Sequence, residues 1–303
     1  MAQAAVTAQD LFDASFLDAV QALSLRIARA QRGGRLAEQR SSARGQGAEF
    51  ADFKPYASGD DLRAIDWNVY QRLGRVFVRV FEEQQDLPVY LLVDDSASMV
   101  AEQPPRLRAA LRSAFALAAI ALSQQDSVSI LPFADAAQLP PRRLSGRANL
   151  MRMASQLGAL TGQGGTALVQ ALRQLAGSRL RRGLVVVVSD FFDPAGIDAV
   201  VAALQALPHR VLLVQLVRAH DADPQLHPEL QGDVLIDDGE PGHAVPLSVS
   251  PELLRAYAQV HARFNAGLAG FVAAGGGGLL RIDAAEDVLP QLLAAFGNGE
   301  LRL

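Results

Sequence analysis

Three hydroxyls and two carboxylates in this sequence occur in turns whose residue types suit a hard divalent cation. They belong to Asp94, Ser96, Ser98, Thr166 and Asp190. The first three form an Asp-x-Ser-x-Ser run directly after an apolar stretch, the threonine follows a glycine pair, and the last aspartate ends a second apolar stretch. Mg²⁺ and Mn²⁺ prefer oxygen ligands of this kind. The pattern therefore predicts one Mg²⁺ or Mn²⁺ site.

A simpler interpretation exists for each turn taken alone. Serine and aspartate after a strand are often turn residues or caps at the start of a helix. Because three turns carry suitable residues in this order, we favour the metal site over capping. We interpret Asp95 and Asp193, which neighbour the candidate ligands, as solvated turn residues or caps.

Composition excludes several classes of function. The 303 residues include no cysteine, which rules out disulfides, thiolate catalysis and metal sites with cysteine ligands. The formal net charge of −4 gives no reason to expect nucleic-acid binding. No stretch reaches the roughly 18 apolar residues that a membrane span needs, and residues 1–25 lack the basic start of a secretory signal. We expect a cytoplasmic protein without a transmembrane segment.

The elements that would position the candidate ligands follow an α/β pattern. Residues 11–31 carry apolar side chains at helical spacing, and residues 32–85 are rich in Gly, Arg and Asp with strand-like stretches. From residue 88 onward, apolar strands alternate with helices, which predicts a doubly wound, mostly parallel sheet covered by helices on both faces. We therefore expect two modules, 1–85 and 86–303, the first with a helix and a small β-containing part.

The predicted elements of the second module place the candidate ligands at one edge of the sheet. We expect the apolar strands at 88–93, 127–133, 184–188, 211–217 and 279–282, with a further short strand near 137–139. Residues 218–249 are interpreted as an insertion that contains a hairpin. Ligands bind such sheets beyond the carboxyl ends of the strands, where Asp94 and Asp190 occur.

The five candidate ligands resemble the metal-ion-dependent adhesion site of von Willebrand factor type A domains. In that family the serine and threonine hydroxyls contact the metal directly, and the two aspartates usually reach it through water. The resemblance implies direct contacts for Ser96, Ser98 and Thr166 and water-mediated contacts for Asp94 and Asp190. It also implies that the cation binds a carboxylate supplied by a partner.

A second resemblance is carried by residues 45–83, which include the runs Phe53-Lys54-Pro55-Tyr56 and Gly59-Asp60-Asp61-Leu62-Arg63-Ala64-Ile65-Asp66-Trp67. This region resembles the bacterial "domain of unknown function 58" family, in which it precedes a von Willebrand factor type A domain. The resemblance implies a MoxR-type AAA+ ATPase as partner and a chaperone-like role in maturing client proteins. Many family members carry N-terminal transmembrane helices, which we do not expect here.

The charged and aromatic residues near position 65 have two interpretations. Arg63 and Asp66 are spaced to pair on one helical turn. Trp67 is expected to pack beneath them against one of three aromatic rings, those of Phe50, Tyr56 and Phe81. The first interpretation is a structural cluster that joins the two modules. The second is a docking surface for a partner.

Three functions remain open from the sequence. The leading hypothesis is a metal-dependent adaptor, which is not an enzyme, for a MoxR-type ATPase and a client that offers an Asp or Glu. The alternative is a Mg²⁺-dependent hydrolase or phosphotransferase with Asp94 as nucleophile. Haloacid-dehalogenase-like phosphatases carry Asp-x-Asp after their first strand, whereas Ser96 replaces the second acid here. The third is a structural adaptor whose metal site stays empty.

Overall fold

In the computed structural model the chain divides into two compact units. The larger unit comprises residues 1–29 and 87–303, and the smaller unit comprises residues 30–86. The structure describes residues 11–34, 48–58, 60–83, 86–135, 137, 142–226, 230, 232–237 and 244–297.

Ten strands and nine helices are described, together with short 3₁₀ turns and one π turn. The strands are β1 (Ala48–Pro55), β2 (Phe77–Glu83), β3 (Pro88–Asp94), β4 (Ser127–Phe133), β5 (Arg143–Ser145), β6 (Leu184–Ser189), β7 (Arg210–Val217), β8 (Asp233–Asp237), β9 (Ala244–Ser248) and β10 (Gly277–Asp283). The helices are α1 (Ala14–Gly34), α2 (Trp67–Leu73), α3 (Arg106–Ser123), α4 (Leu150–Leu157), α5 (Leu168–Gly177), α6 (Ile197–Gln205), α7 (Ala219–Ala222), α8 (Pro251–Phe271) and α9 (Val288–Gly297). None of these helices combines the length and apolar character needed to cross a bilayer.

The larger unit is built on a six-stranded sheet with the order β10-β7-β6-β3-β4-β5. All neighbouring strands are parallel except β5, which runs antiparallel to β4. Every residue of β3 is buried, because alternate side chains face two separate cores. The predicted doubly wound fold class is therefore confirmed.

Each face of the sheet is covered by its own set of helices. Leu91 and Val93 of β3 belong to the core that includes α1, α3, α4 and α9. Leu92, the residue between them, belongs to the core that includes α5, α6 and α8. Helix α3 is buried along most of its length, which explains why its sequence carries alanine and leucine on nearly every side.

Helix α1 packs in the larger unit rather than with the module that follows it in sequence. The rings of Phe12 and Phe16 contact Phe115 of α3, with centroids 4.8 and 6.0 Å apart. The apolar face predicted for residues 11–31 is thus real, and it covers α3. The prediction of a module over residues 1–85 places this helix with residues 32–85, because periodicity identifies an apolar face and not its partner.

The position of a ligand site follows from the strand order. The chain passes from β3 to β4 on one side, and later enters β6 on the other side of β3 before continuing to β7. The direction of winding therefore reverses between β3 and β6. The crevice beyond the carboxyl ends of two such strands is where doubly wound folds bind ligands.

The remaining differences from the expected elements are small. Strand β5 was not predicted, because three residues are too short for a periodic signal. Of the strand expected near 137–139, Ala137 forms an isolated bridge to Phe133, and residues 138 and 139 lie outside the described part. The hairpin predicted in the insertion is confirmed as β8 and β9.

Trp67 is not packed as expected. Its side chain is 62% exposed, and its ring meets the edge of Tyr70 with centroids 6.1 Å apart. Asp66 caps α2 by accepting hydrogen bonds from the backbone N–H groups of Asn68 and Val69. The start of this helix is therefore stabilised by the Asp66 side chain, which caps its backbone N–H groups, while the tryptophan is exposed to solvent.

Candidate metal site

Asp94 is the last residue of β3, and its side chain is completely buried. Its Oδ1 accepts hydrogen bonds from the hydroxyl and the backbone N–H of Ser96, at 2.6 and 3.1 Å. Its Oδ2 accepts one from the hydroxyl of Ser189, the last residue of β6, at 2.6 Å. Both carboxylate oxygens are therefore fixed by the segments that end the two strands at the crevice.

The three predicted hydroxyls form a continuous row. The Oγ atoms of Ser96 and Ser98 are 3.0 Å apart, and the Oγ of Ser98 is 3.4 Å from Oγ1 of Thr166. The two serines lie at the start of a 3₁₀ turn, Ala97–Val100, whereas the threonine comes from a loop 68 positions later in the chain. The fold thus brings together the hydroxyls that the sequence analysis grouped.

The loop that carries Thr166 is held against the loops that follow β3 and β4. The backbone N–H of Ala97 donates to the carbonyl of Gly164 at 3.0 Å, and Oδ1 of Asp135 accepts from the N–H of Gly165 at 2.9 Å. Gly164 has φ +83°, and a Cβ there would come within 2.7 Å of a carboxylate oxygen of Asp135. Only glycine fits this position without strain, which explains the glycine pair before the threonine.

Asp190 follows β6 directly and is almost completely buried. Its Oδ1 accepts a hydrogen bond from the backbone N–H of Phe192 at 3.1 Å. Burial and the charge of Asp94 raise the pKa of Asp190 to about 7, although the charge of Arg106 acts in the opposite direction. The two carboxylates of the prediction are therefore close enough to repel each other.

The donor set fits a divalent cation. Burial raises the pKa of Asp94, and the hydrogen bonds from Ser189 and Ser96 only partly offset this. Neutral donors, the hydroxyls of Ser96 and Ser189 at Asp94 and the backbone N–H of Phe192 at Asp190, bond to the two buried carboxylates without cancelling their charge. The site therefore favours an added positive charge. Ser96, Ser98 and Thr166 offer the hard oxygens that Mg²⁺ and Mn²⁺ prefer. The role of these residues as metal ligands remains a prediction.

Asp95 and Asp193 bond to backbone groups of the surrounding loops. Oδ1 of Asp95 accepts from the N–H of Gly162 at 2.7 Å. Oδ2 of Asp193 accepts from the N–H of Val169 at the start of α5, at 3.0 Å, and its Oδ1 accepts from Ala195. Both residues act as loop and helix caps, as interpreted from the sequence, although both are half-buried rather than fully solvated.

Sequence reasoning missed an ion-pair cluster that lies beside this site and consists of Glu102, Arg106, Arg218 and Asp221. The guanidinium of Arg106 donates to Oδ2 of Asp221 at 2.8 Å and lies 3.3 Å from Glu102. Arg218 reaches Glu102 at 2.7 Å. Arg106 and Glu102 are four positions apart, but Arg106 and Asp221 are 115 positions apart and Arg218 is similarly distant from Glu102, so no local pattern reveals the cluster. Ser189 was missed for the same reason.

The ion-pair cluster is a poorer candidate for a metal site than the hydroxyl row. Oxygen and nitrogen atoms of Glu102, His220 and Asp221 lie within 4.8 Å of one another, which is close enough for shared coordination. Arg106 and Arg218 already neutralise the two carboxylates, and a cation there would meet two guanidinium charges. The predicted metal site therefore stays at the hydroxyl row.

A cleft opens from the candidate metal site. Its volume is about 1300 Å³, and Ser98, Thr166 and Asp190 line it together with side chains of β8 and α8. An incoming group can therefore reach the hydroxyl row from solvent.

Comparisons with known proteins identify relatives of unknown activity. Uncharacterized proteins of Mycobacterium tuberculosis and Mycobacterium bovis are 28% identical over 255 residues, which cover 82% of this chain and 78% of theirs. Solved structures with weak similarity include the conserved hypothetical protein BatB from Bacteroides thetaiotaomicron, with 16% identity and a TM-score of 0.40 over 70% of this chain and 98% of that one. A von Willebrand factor type A protein from Catenulispora acidiphila has 13% identity and a TM-score of 0.38, over 74% of this chain and 43% of that one.

The structural similarities are too low to support any inference, so the fold rests on the sheet topology described above. The match to a protein-family model is firmer. It extends over residues 52–266, which include all five candidate ligands and most of both units. This chain therefore belongs to the family described as "Protein of unknown function DUF58".

Proposed function

We propose that this protein is a metal-dependent adaptor that binds partner proteins through a cation held by Asp94, Ser96, Ser98, Thr166 and Asp190. The observation that carries the proposal is the row of three hydroxyls beside two buried carboxylates. This row lies in the crevice where a doubly wound sheet binds its ligand.

The chemistry of the donor set supports protein binding. Mg²⁺ or Mn²⁺ bound mainly by neutral hydroxyls keeps much of its positive charge. Ser96, Ser98 and Thr166 would hold the cation directly. Asp94 and Asp190 would contact it through water and supply negative charge. A carboxylate from an Asp or Glu of the partner then provides both a ligand and the missing charge.

The proposed partners come from the resemblance of residues 45–83 to the bacterial family. We propose a MoxR-type AAA+ ATPase as the principal partner, with this protein as the adaptor in chaperone-like maturation of a client. The exposed Trp67 supports the second interpretation of this region, a docking surface for a partner. The metal site and this region would then contact partners independently.

The environment of Asp94 supports an adaptor rather than a hydrolase. Both oxygens of this carboxylate accept hydrogen bonds, and its side chain is completely buried. A nucleophile must reach its substrate, whereas Ser96 stands between this carboxylate and the other hydroxyls. Turnover of ATP or a simple phosphomonoester that disappears in Asp94→Asn would restore the enzyme hypothesis.

Titration calorimetry with Mg²⁺ and Mn²⁺ tests the metal site. Thr166→Ala removes one proposed ligand and should abolish or strongly weaken binding, while the far-ultraviolet circular dichroism spectrum stays unchanged. Thr161→Ala is the matched control, because the same group is removed from an exposed position in the same loop. Equal cation affinity in wild type and Thr166→Ala would show that the site is wrongly placed.

Capture of the ATPase with and without EDTA tests the partner. We expect chelation to release the ATPase, added Mg²⁺ to restore binding, and Ser98→Ala to behave like chelation. If the ATPase is recovered equally in every condition, association uses another surface, and residues 45–83 become the next candidate.

A further inference from the structure

Four rings form a continuous row along the cleft that opens from the candidate metal site. Phe192 stacks on Phe264 with centroids 4.8 Å apart, His261 lies 6.4 Å from Phe264, and Tyr257 lies 5.9 Å from His261. Three of the rings are four and three positions apart on α8 and so share one helix face. We call these four residues the aromatic row.

Exposed apolar side chains lie both within the aromatic row and beside it. Phe192, two positions after Asp190, is 42% exposed, and Val260 of α8 is 69% exposed. Strand β8 lines the same cleft with Leu235, which is also 69% exposed. Large apolar groups gathered in one cleft mark an interaction surface rather than a random scatter.

The size of the cleft favours a polypeptide occupant. Its volume of about 1300 Å³ exceeds the roughly 300–1000 Å³ of small-molecule pockets. It is also continuous with the metal site, because Ser98, Thr166 and Asp190 line it. A single extended segment can therefore reach both the metal and the aromatic row.

Charge in the cleft sets the chemistry of that segment. Carboxylates outnumber guanidinium groups along the walls of the cleft. The charged residues that line it are two arginines and five acids, namely Arg106, Arg263, Glu102, Asp190, Asp193, Asp198 and Asp221. An acidic segment is therefore repelled unless a divalent cation reverses the sign at one end. An acid is attracted at the metal, and an uncharged apolar group is the best match for the remainder.

We propose that the cleft receives an extended segment of a partner protein in which an Asp or Glu is close in sequence to a large apolar residue. The acid binds at the cation, and the apolar side chain packs on the aromatic row beside Val260. This inference rests on the proposed function and adds a second determinant, which selects among the many acidic segments that a metal alone would accept.

Short fluorescein-labelled peptides test the proposal by fluorescence anisotropy on the full chain with Mg²⁺. The probes are glycine and serine peptides that carry one Asp and one Phe at varied spacing, and matched peptides in which Asn replaces the Asp or Ser replaces the Phe. The probe with both groups at the best spacing should bind about tenfold more tightly than the peptide without Phe. EDTA should abolish the binding of every Asp peptide.

The matched protein variants are Val260→Ser and Val245→Ser. Both valines are exposed, at 69% and 57%, but only the first lines the cleft. Val260→Ser should weaken the peptide with both groups about fivefold and leave the Asp-only peptide and calorimetric Mg²⁺ affinity unchanged. Val245→Ser should change none of these.

The outcomes separate this inference from the proposed function. If Mg²⁺ and Asp peptides bind, but neither Phe nor Val260→Ser alters affinity, this inference fails and the metal-dependent adaptor stands. If wild type binds no cation, both fail. If sedimentation shows a dimer that Val260→Ser dissociates, a second copy of the chain occupies the cleft and the partner segment is excluded.

Discussion

Arg106→Met removes the central charge of the ion-pair cluster, and we expect it to lower the free energy of unfolding by about 3–5 kcal/mol. The guanidinium is buried at the first position of α3 and pairs with the buried carboxylate of Asp221 through both terminal nitrogens. It also donates to the carbonyl of Leu216 at 3.3 Å. Burial alone would lower the pKa of this arginine, but the hydrogen bonds and charge of Asp221 raise it. Loss of the guanidinium leaves Asp221 buried without its main counter-charge.

Urea denaturation followed by far-ultraviolet circular dichroism measures the change in the free energy of unfolding. A thermal melt gives a second measure. For a unit of this size each kcal/mol corresponds to about 2–4 °C in melting temperature, so we expect a decrease of about 6–20 °C. Arg108→Met is the matched control, because this arginine is two positions away on the same helix and is exposed. The control should stay within about 0.5 kcal/mol of wild type. An equal, small effect in both variants would refute the view that the ion-pair cluster holds α3 to the segment after β7.

Three further predictions concern the metal site and the smaller unit. Ser189→Ala should weaken Mg²⁺ binding about 10–100-fold in calorimetry, because it frees one oxygen of Asp94 without removing a ligand; unchanged affinity would show that this hydroxyl has no orienting role. Asp190 has a pKa of about 7 in the folded protein, against an ordinary 3.8. Between these two pH values the folded, metal-free protein keeps a proton that the unfolded chain has lost. The free energy of unfolding should therefore fall as the pH rises from 3.8 to about 7. Mg²⁺ affinity should rise over the same window, and titrations in buffers of different ionisation enthalpy should detect the released proton; a pH-independent affinity would contradict the shift. Trp67→Ala should change the free energy of unfolding by less than about 0.5 kcal/mol in a urea melt, because the ring is mostly exposed, and a larger loss would mean that it is buried in solution.

The larger unit could be predicted from the sequence because its strands and helices carry strong local patterns. A run such as Leu184–Ser189 is apolar on both faces, which identifies a strand inside a covered parallel sheet. The candidate ligands were found because each follows a strand or a glycine turn that local sequence reveals. Their convergence then follows from the geometry of parallel sheets.

Contacts between distant segments could not be predicted in this way. Arg106 meets Asp221 across 115 positions, and Ser189 meets Asp94 across 95. An apolar periodicity predicts that α1 buries one face but does not identify α3 as its partner. Trp67 shows the converse limit, because a large aromatic residue suggests burial, whereas this side chain is 62% exposed.

The exposure of Trp67 also gives the protein an intrinsic optical probe. The chain contains a single tryptophan, and it lies in the smaller unit. Its emission should resemble that of a solvated indole in the folded state, so unfolding of the larger unit will hardly alter the tryptophan spectrum. A blue shift on adding a partner would report contact at the smaller unit without any label. Changes confined to circular dichroism would instead report events in the sheet and its helices.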